Sequence, residues 1–377
     1  MRKTTFFQLA GIALLILVAL AVAVPRPRLR LRPDEPPAAK QIDLVIALDT
    51  SSSMDGLIDS ARQKLWDIVN VLGKAQPKPV LRVGLLSYGN SGHDPGRGWV
   101  QKEAELTSDL DGIYAKLFAL RTGGGEEYVG RAVQVAEREM AWDGQALKLL
   151  FVAGNEPADQ DPLVPVASAV RGARERGIFV NTIYCGQQGA GEAGLWSQVA
   201  GLGGGRYAAI DQNSAVAVVT PVDEELGRLS AQLNQTYLGY GREGAQGAAR
   251  QAAMDQQAAA LNSGVQAARA VAKSGALYDN SGWDLIDAVR RGKKSVAAME
   301  AQDLPAPIAA LPPESRAAVV EKMAQEREVL QGRIKSLSAK RDAFIAARPR
   351  AKGEGASFDE ALGGAVIEQA KSAGFAF

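Results

Sequence analysis

Short apolar runs separated by stretches of helical periodicity restrict this chain to very few folds. The runs are Leu44 to Leu48, then residues 81–89, 147–155, 178–184 and 206–210. Between the first two, Leu57, Ile58, Ala61, Leu65, Ile68, Val69 and Leu72 recur at helical spacing and stop near Gly73. Further helices are expected over 110–120, 127–140, 164–176 and 193–202, with an alternating edge strand at Trp99 to Leu106. Strands that alternate with helices imply parallel crossovers, so the expected class is α/β, a doubly wound, mainly parallel sheet.

The first run carries the chemistry. It reads DLVIALDTSSSM from Asp43 to Met54, with Asp49, Ser51 and Ser53 crowded into the turn that follows the strand. In open α/β sheets, ligands bind outside the carboxyl ends of the strands, and oxygen donors gathered there suit a hard cation. Helix capping is the other reading, because Ser53 or Asp55 would satisfy free amides at the start of the next helix.

The Asp-x-Ser-x-Ser spacing behind an apolar strand resembles the metal-ion-dependent adhesion site of von Willebrand factor type A domains. The resemblance covers roughly residues 42–215. It implies a Rossmann-like fold and a divalent cation, Mg²⁺ or alternatively Mn²⁺ or Ca²⁺, held by Ser51 and Ser53, with Asp49 acting through a bound water. Two further loops would contribute. In the second, RTGGGEEYVG at residues 121–130, Thr122 is the only aliphatic hydroxyl, and Glu126 and Glu127 stand near the helix start. The metal set expected from these loops is Asp49, Ser51, Ser53, Thr122, Glu126 and Asn155. Asn155 stands where related domains carry an Asp, so the third loop offers an amide without negative charge; Glu156, Asp159 and Asp161 are nearby acids. The mode implied is adhesion, in which an acidic residue of a protein partner completes the coordination of the ion.

Enzyme chemistry finds little support. The serines have no histidine partner, and GGGEE is followed by no lysine, so it is not a phosphate loop. Metal-assisted hydrolysis is the least favoured reading. His93, the one histidine, is expected to be a solvated loop residue, and Cys185, the one cysteine, a buried structural thiol. With 43 Lys and Arg against 42 Asp and Glu, no general attraction to nucleic acid is expected.

Five segments are expected along the chain. Residues 1–25 have a basic start and an apolar run from Phe6 to Val24, and read as a cleaved signal peptide or an uncleaved transmembrane anchor. Residues 26–40 are a Pro- and Arg-rich linker, 41–221 the α/β domain, 222–350 a helical region, and 351–377 a Gly- and Ala-rich flexible tail. The Asp284 and Asp287 carboxylates are expected on one solvated helix face, beside packing residues Trp283, Leu285 and Ile286. Two functional readings result. One is a membrane-tethered or exported module of the cell envelope that binds a partner carboxylate through the cation. The other is a metal-independent assembly scaffold with a degenerate site, working with an ATPase-type partner.

Overall fold

A computed structural model describes residues 40–187, 189–210, 218–348 and 358–377. The expected signal peptide or anchor and nearly all of the linker lie outside them. Among the described residues, no helix is long and apolar enough to cross a membrane.

The sheet has six strands: β1 (Gln41–Asp49), β2 (Val80–Tyr88), β3 (Val100–Thr107), β4 (Leu147–Gly154), β5 (Ile178–Tyr184) and β6 (Gly204–Ala209). Their order is β3-β2-β1-β4-β5-β6. All neighbours run parallel except the edge strand β3, which is antiparallel to β2. The expected α/β class is therefore the one observed. Sheet growth changes direction between β1 and β4, which opens a crevice at their carboxyl ends.

The uninterrupted apolar run of β1 has a direct cause. Ile42, Leu44, Ile46 and Leu48 enter the core on one side of the sheet, and Val45 and Ala47 the core on the other. A strand buried on both faces has no solvated side on which polar residues could alternate. Asp43 is the exception within the run, and its buried carboxylate is held by Arg82 through Nε at 2.9 Å and Nη2 at 2.6 Å. On one face lie α1 (Asp55–Leu72) and α2 (Leu110–Ala119); on the other lie α3 (Val129–Glu139), α4 (Val166–Glu175) and α5 (Ala193–Leu202).

The rest of the chain is helical, as expected. It comprises α6 (Asp223–Asn234), α7 (Gly244–Leu261), α8 (Ser263–Ser274), α9 (Leu285–Arg290), α10 (Ala306–Ala309), α11 (Pro313–Ala346) and α12 (Phe358–Ser372). Helices α7, α8 and α12 pack on the sheet domain, while α9, α10 and α11 bury a separate cluster. Met254 and Ala258 of α7 and Val265, Ala268 and Ala272 of α8 belong to the same core as β1 and α1.

Two expectations are corrected here. The tail is not flexible throughout: residues 358–372 form α12, which packs on α1 and β6 and buries Leu362 and Val366. Backbone bonds between Gln76 and Ala376 then tie the last residues to the loop after α1. A small-residue helix suffices because it lies close against its neighbours and the few large side chains supply the burial. Nor are Asp284 and Asp287 a solvated pair. Asp284 is fully buried, caps α9 by accepting from Asp287 N, and pairs with Arg327 of α11 at 2.6 Å. Asp287 accepts from the same guanidinium at 2.8 Å. The packing expected of Trp283, Leu285 and Ile286 is observed.

Candidate metal site

The first loop leaves β1 at the sheet's crevice. Asp49 is fully buried, and its Oδ1 accepts from Ser51 N at 2.8 Å, which curls the chain so that the next alternate residue returns to the same side. The Ser51 and Ser53 hydroxyls then lie 3.2 Å apart. Thr50, between them, turns the other way and donates to Tyr88 O at 2.9 Å, pinning the loop to β2. The capping alternative does not account for these serines, because α1 begins after Met54 without a side-chain cap.

The third loop follows β4. Asn155 Nδ2 donates to Ser53 Oγ at 3.1 Å, so the amide faces the serine pair as the sequence suggests. Gly154 before it is required by close packing. A Cβ there would stand 2.5 Å from Tyr88 Oη and 3.1 Å from Asp49 Oδ2. Tyr88, wholly buried, spends its hydroxyl on Ala153 O at 2.9 Å rather than on Asp49.

The second loop is held against the first by Gly123 N, which donates to Thr50 O at 3.0 Å. Here the expected residues are not the ones delivered. Thr122 Oγ1 donates to Asp55 Oδ1 at 2.8 Å, on the side of the first turn of α1. Glu126 is exposed. The side chain that reaches Asp49 and Ser51 is Glu127. The backbone turns tightly here, with Tyr128 N donating to Glu126 O at 3.2 Å and Val129 N to Glu127 O at 3.0 Å, and Glu126 is left in solvent while Glu127 is partly buried. Tyr128 fixes the phase by stacking edge-on against Trp99, with ring centroids 5.4 Å apart. The sequence places both acids near the helix start but holds no sign of which one turns inward.

A fourth loop, after β2, was not anticipated. Gly89 adopts a left-handed φ of 76° and lies so close to both acids that a Cβ there would be 2.8 Å from Asp49 Oδ1 and 3.0 Å from Glu127 Cγ. Asn90 Nδ2 donates to Arg121 O at 2.8 Å, which steadies the second loop. The only sequence signal was the loop's place after the strand beside β1. His93 lies in the same connection and is packed rather than solvated, with Nδ1 3.1 Å from Trp99 O and Nε2 3.4 Å from Ser87 Oγ. The ring is thus partly buried, its side chain 15% exposed.

The electrostatics of the cluster are unfavourable when it holds nothing. Asp49 Oδ2 and Glu127 Oε2 are both buried without a hydrogen-bond donor. Burial pushes the Asp49 carboxyl up to about 6, against the hydrogen bond it receives from Ser51 N. Burial and then the Asp49 charge push Glu127 up to about 9, and the neighbouring Glu156 adds a further like charge to both. Two acids that disfavour their own ionised forms, beside two hydroxyls and an amide, form a hard-oxygen set that a divalent cation would satisfy. Among the described residues, no group of three or more His, Cys, Asp or Glu side chains is arranged to hold a metal.

Residues 43–202 match the family model of the von Willebrand factor type A domain. This part of the chain is a type A domain. The matched segment spans β1 through α5, so the described cluster falls within it. Among solved structures, a conserved hypothetical protein, BatB, from Bacteroides thetaiotaomicron is similar at 18% identity. That match covers 45% of this chain and 90% of that one, with a TM-score of 0.35. An aerotolerance-related membrane protein from Bacteroides fragilis is similar at 19% identity over 46% of this chain and 94% of that one, with a TM-score of 0.31. Proximal thread matrix protein 1 from the mussel byssus, with a zinc-occupied adhesion motif, is similar at 15% identity. It aligns over 47% of this chain and 43% of its own, with a TM-score of 0.38. No curated protein matches the sequence.

Proposed function

We propose that the type A domain is a divalent-cation-dependent protein-binding module, in which the ion links the loops around Asp49 to a carboxylate of a partner protein. The observation that carries this reading is the buried, donorless Oδ2 of Asp49 beside the paired Ser51 and Ser53 hydroxyls at the mouth of the β1–β4 crevice. When bound, the cation supplies a positive centre that an acidic side chain can complete by a charge-assisted contact. The chain's own residues do the rest. Asp49, Ser51 and Ser53 would hold Mg²⁺, Mn²⁺ or Ca²⁺, Asn155 would fix Ser53, and the Tyr88 and Gly154 wall keeps bulk water from the buried side. Thr122, bonded to Asp55, would steady α1 rather than the ion. Type A domains are generally interaction modules, which supports a non-enzymatic role. The apolar segment at residues 6–24 supports placement in the cell envelope, tethered or exported.

The second reading, a metal-independent scaffold, is favoured by one specific observation. Helices α7, α8 and α12 share the core of the sheet domain, and the buried Arg269–Asp111 ion pair ties α8 to α2, which offers a rigid surface independent of the loops. The experiment that separates them is capture of protein partners in Mg²⁺ and in chelator, with wild type and Asp49→Ala. Loss of the same partner in both chelator and the variant supports the ion-linked module. Retention in both supports the scaffold.

A further inference from the structure

A divalent ion taken into a buried cleft is stabilised by negative charge around it, and hydroxyl or amide oxygens supply none. In the cluster around Asp49, the Ser51 and Ser53 hydroxyls and the Asn155 amide are neutral, so Asp49 accounts for one charge. On the third loop, Asp159 is exposed and Asp161 is committed to Arg131, while Glu156 is exposed and acts on the two acids only as a nearby charge. On the second loop, Glu127 Oε2 is buried with no donor, and the Gly89 turn brings the Glu127 Cγ and Asp49 Oδ1 to either side of one backbone position. Asp49, wholly buried and itself lacking a donor on Oδ2, points into the same space.

We infer that Glu127 supplies the second negative charge of the cation site, on the second loop, where the neutral Asn155 on the third leaves it wanting. This rests on the metal-dependent reading above and deepens it: the site stays competent for a divalent ion because the acid has a different origin. Glu127 then decides affinity for the ion. Thr122, bonded to Asp55, and the exposed Glu126 do not. The charge is interchangeable between loops, because Asn155 reaches Ser53 and Glu127 reaches Ser51, and the two hydroxyls are in contact.

The test is direct titration of the whole protein with Mn²⁺ alone, followed by calorimetry and by the electron paramagnetic resonance signal of free Mn²⁺. Wild type is expected to bind, Glu127→Gln to bind about tenfold more weakly or worse, and Glu126→Gln to bind as wild type. The double variant Glu127→Gln with Asn155→Asp is expected to recover most of the lost affinity, which a variant damaged only in folding would not do. Equal binding by wild type and Glu127→Gln overturns this inference alone. Failure of the double variant to recover overturns the interchange between loops. Absence of Mn²⁺ binding by wild type overturns the metal-dependent reading, and this inference with it.

Discussion

Arg269 of α8 donates from Nη1 to Asp111 Oδ1 of α2 at 2.6 Å, joining the helical region to the sheet domain through an ion pair that is almost wholly buried. The same guanidinium reaches Asp255 Oδ1 at 2.5 Å and lies 4.8 Å over the Trp66 ring, while Tyr278 Oη donates to Asp111 Oδ2 at 2.6 Å. Lys273 completes the network at Asp255 Oδ2, and burial holds its ammonium down to about 8. Every charge in this group has a partner, and removing one leaves the others buried and uncompensated.

Arg269→Ala is therefore expected to destabilise the protein by about 3–5 kcal/mol, the scale for breaking a buried pair from one side. Urea denaturation followed by tryptophan fluorescence measures it, since Trp66 lies under the guanidinium. A change below about 1 kcal/mol, the scale of an exposed pair, would show that the helices hold to the sheet without this network.

The carboxyls at the proposed cation site set a pH dependence that chelator should reveal. Asp49 and Glu127 titrate near 3.8 and 4.5 when unfolded and are raised to about 6 and about 9 by burial in the fold. Between those limits the native state holds more protons than the unfolded one, so stability is greatest below the unfolded values and falls as pH rises. In chelator, the urea midpoint should drop from about pH 5 to about pH 9, and saturating Mg²⁺ should flatten the drop by stabilising the ionised native form. The double variant Asp49→Asn with Glu127→Gln should show the flatter profile without metal. A midpoint that rises over this range in chelator would contradict the burial of the pair.

Gly89 offers a way to disturb the site without removing a donor. Its left-handed backbone and its approach to Asp49 Oδ1 both oppose a side chain. Gly177 has nearly the same φ, at 75°, but open space where a Cβ would stand. Gly177→Ala should thus cost only the backbone term, about 1–2 kcal/mol. Gly89→Ala should cost more in stability and should also weaken Mn²⁺ binding, since Asp49 must shift. Equal losses in the two variants, with binding untouched, would mean that the turn does not position the acid.

What the sequence disclosed and what it hid follow from the distance over which each feature is decided. The apolar run of β1 and the Asp49, Ser51 and Ser53 spacing are set within a dozen residues, so the strand and the first loop were readable directly. The inward acid of the second loop is a matter of which of two consecutive glutamates a turn faces, and Tyr128 settles it by packing on Trp99, far earlier in the chain. Asp284 looked like a solvated helix residue because its partner, Arg327, lies 43 positions away. Asn155 stands in the third loop against Ser53, but its consequence for charge depends on Glu127, which only the fold brings alongside.

The C-terminal segment provides the last test, because composition suggested a flexible tail there. Leu362, Val366 and Phe375 are buried in the core that also contains Leu65 and Ile68 of α1. At about 2 kcal/mol for each large side chain, their contribution is roughly 6 kcal/mol before the entropy of ordering the helix is subtracted. Asn181 of β5 and Gln369 of α12 exchange side-chain amide hydrogen bonds at 3.1 and 2.8 Å, and removing the helix would leave the buried Asn181 Nδ2 only the long contact to Leu150 O at 3.5 Å. Truncation after residue 357 is therefore expected to lower the melting temperature by many degrees and to expose apolar surface on α1 that binds a hydrophobic dye. Leu362→Ala should reproduce part of the loss, about 2–5 kcal/mol, in the full chain. A truncated protein that melts with wild type and binds no dye would return the segment to the status of a dispensable tail.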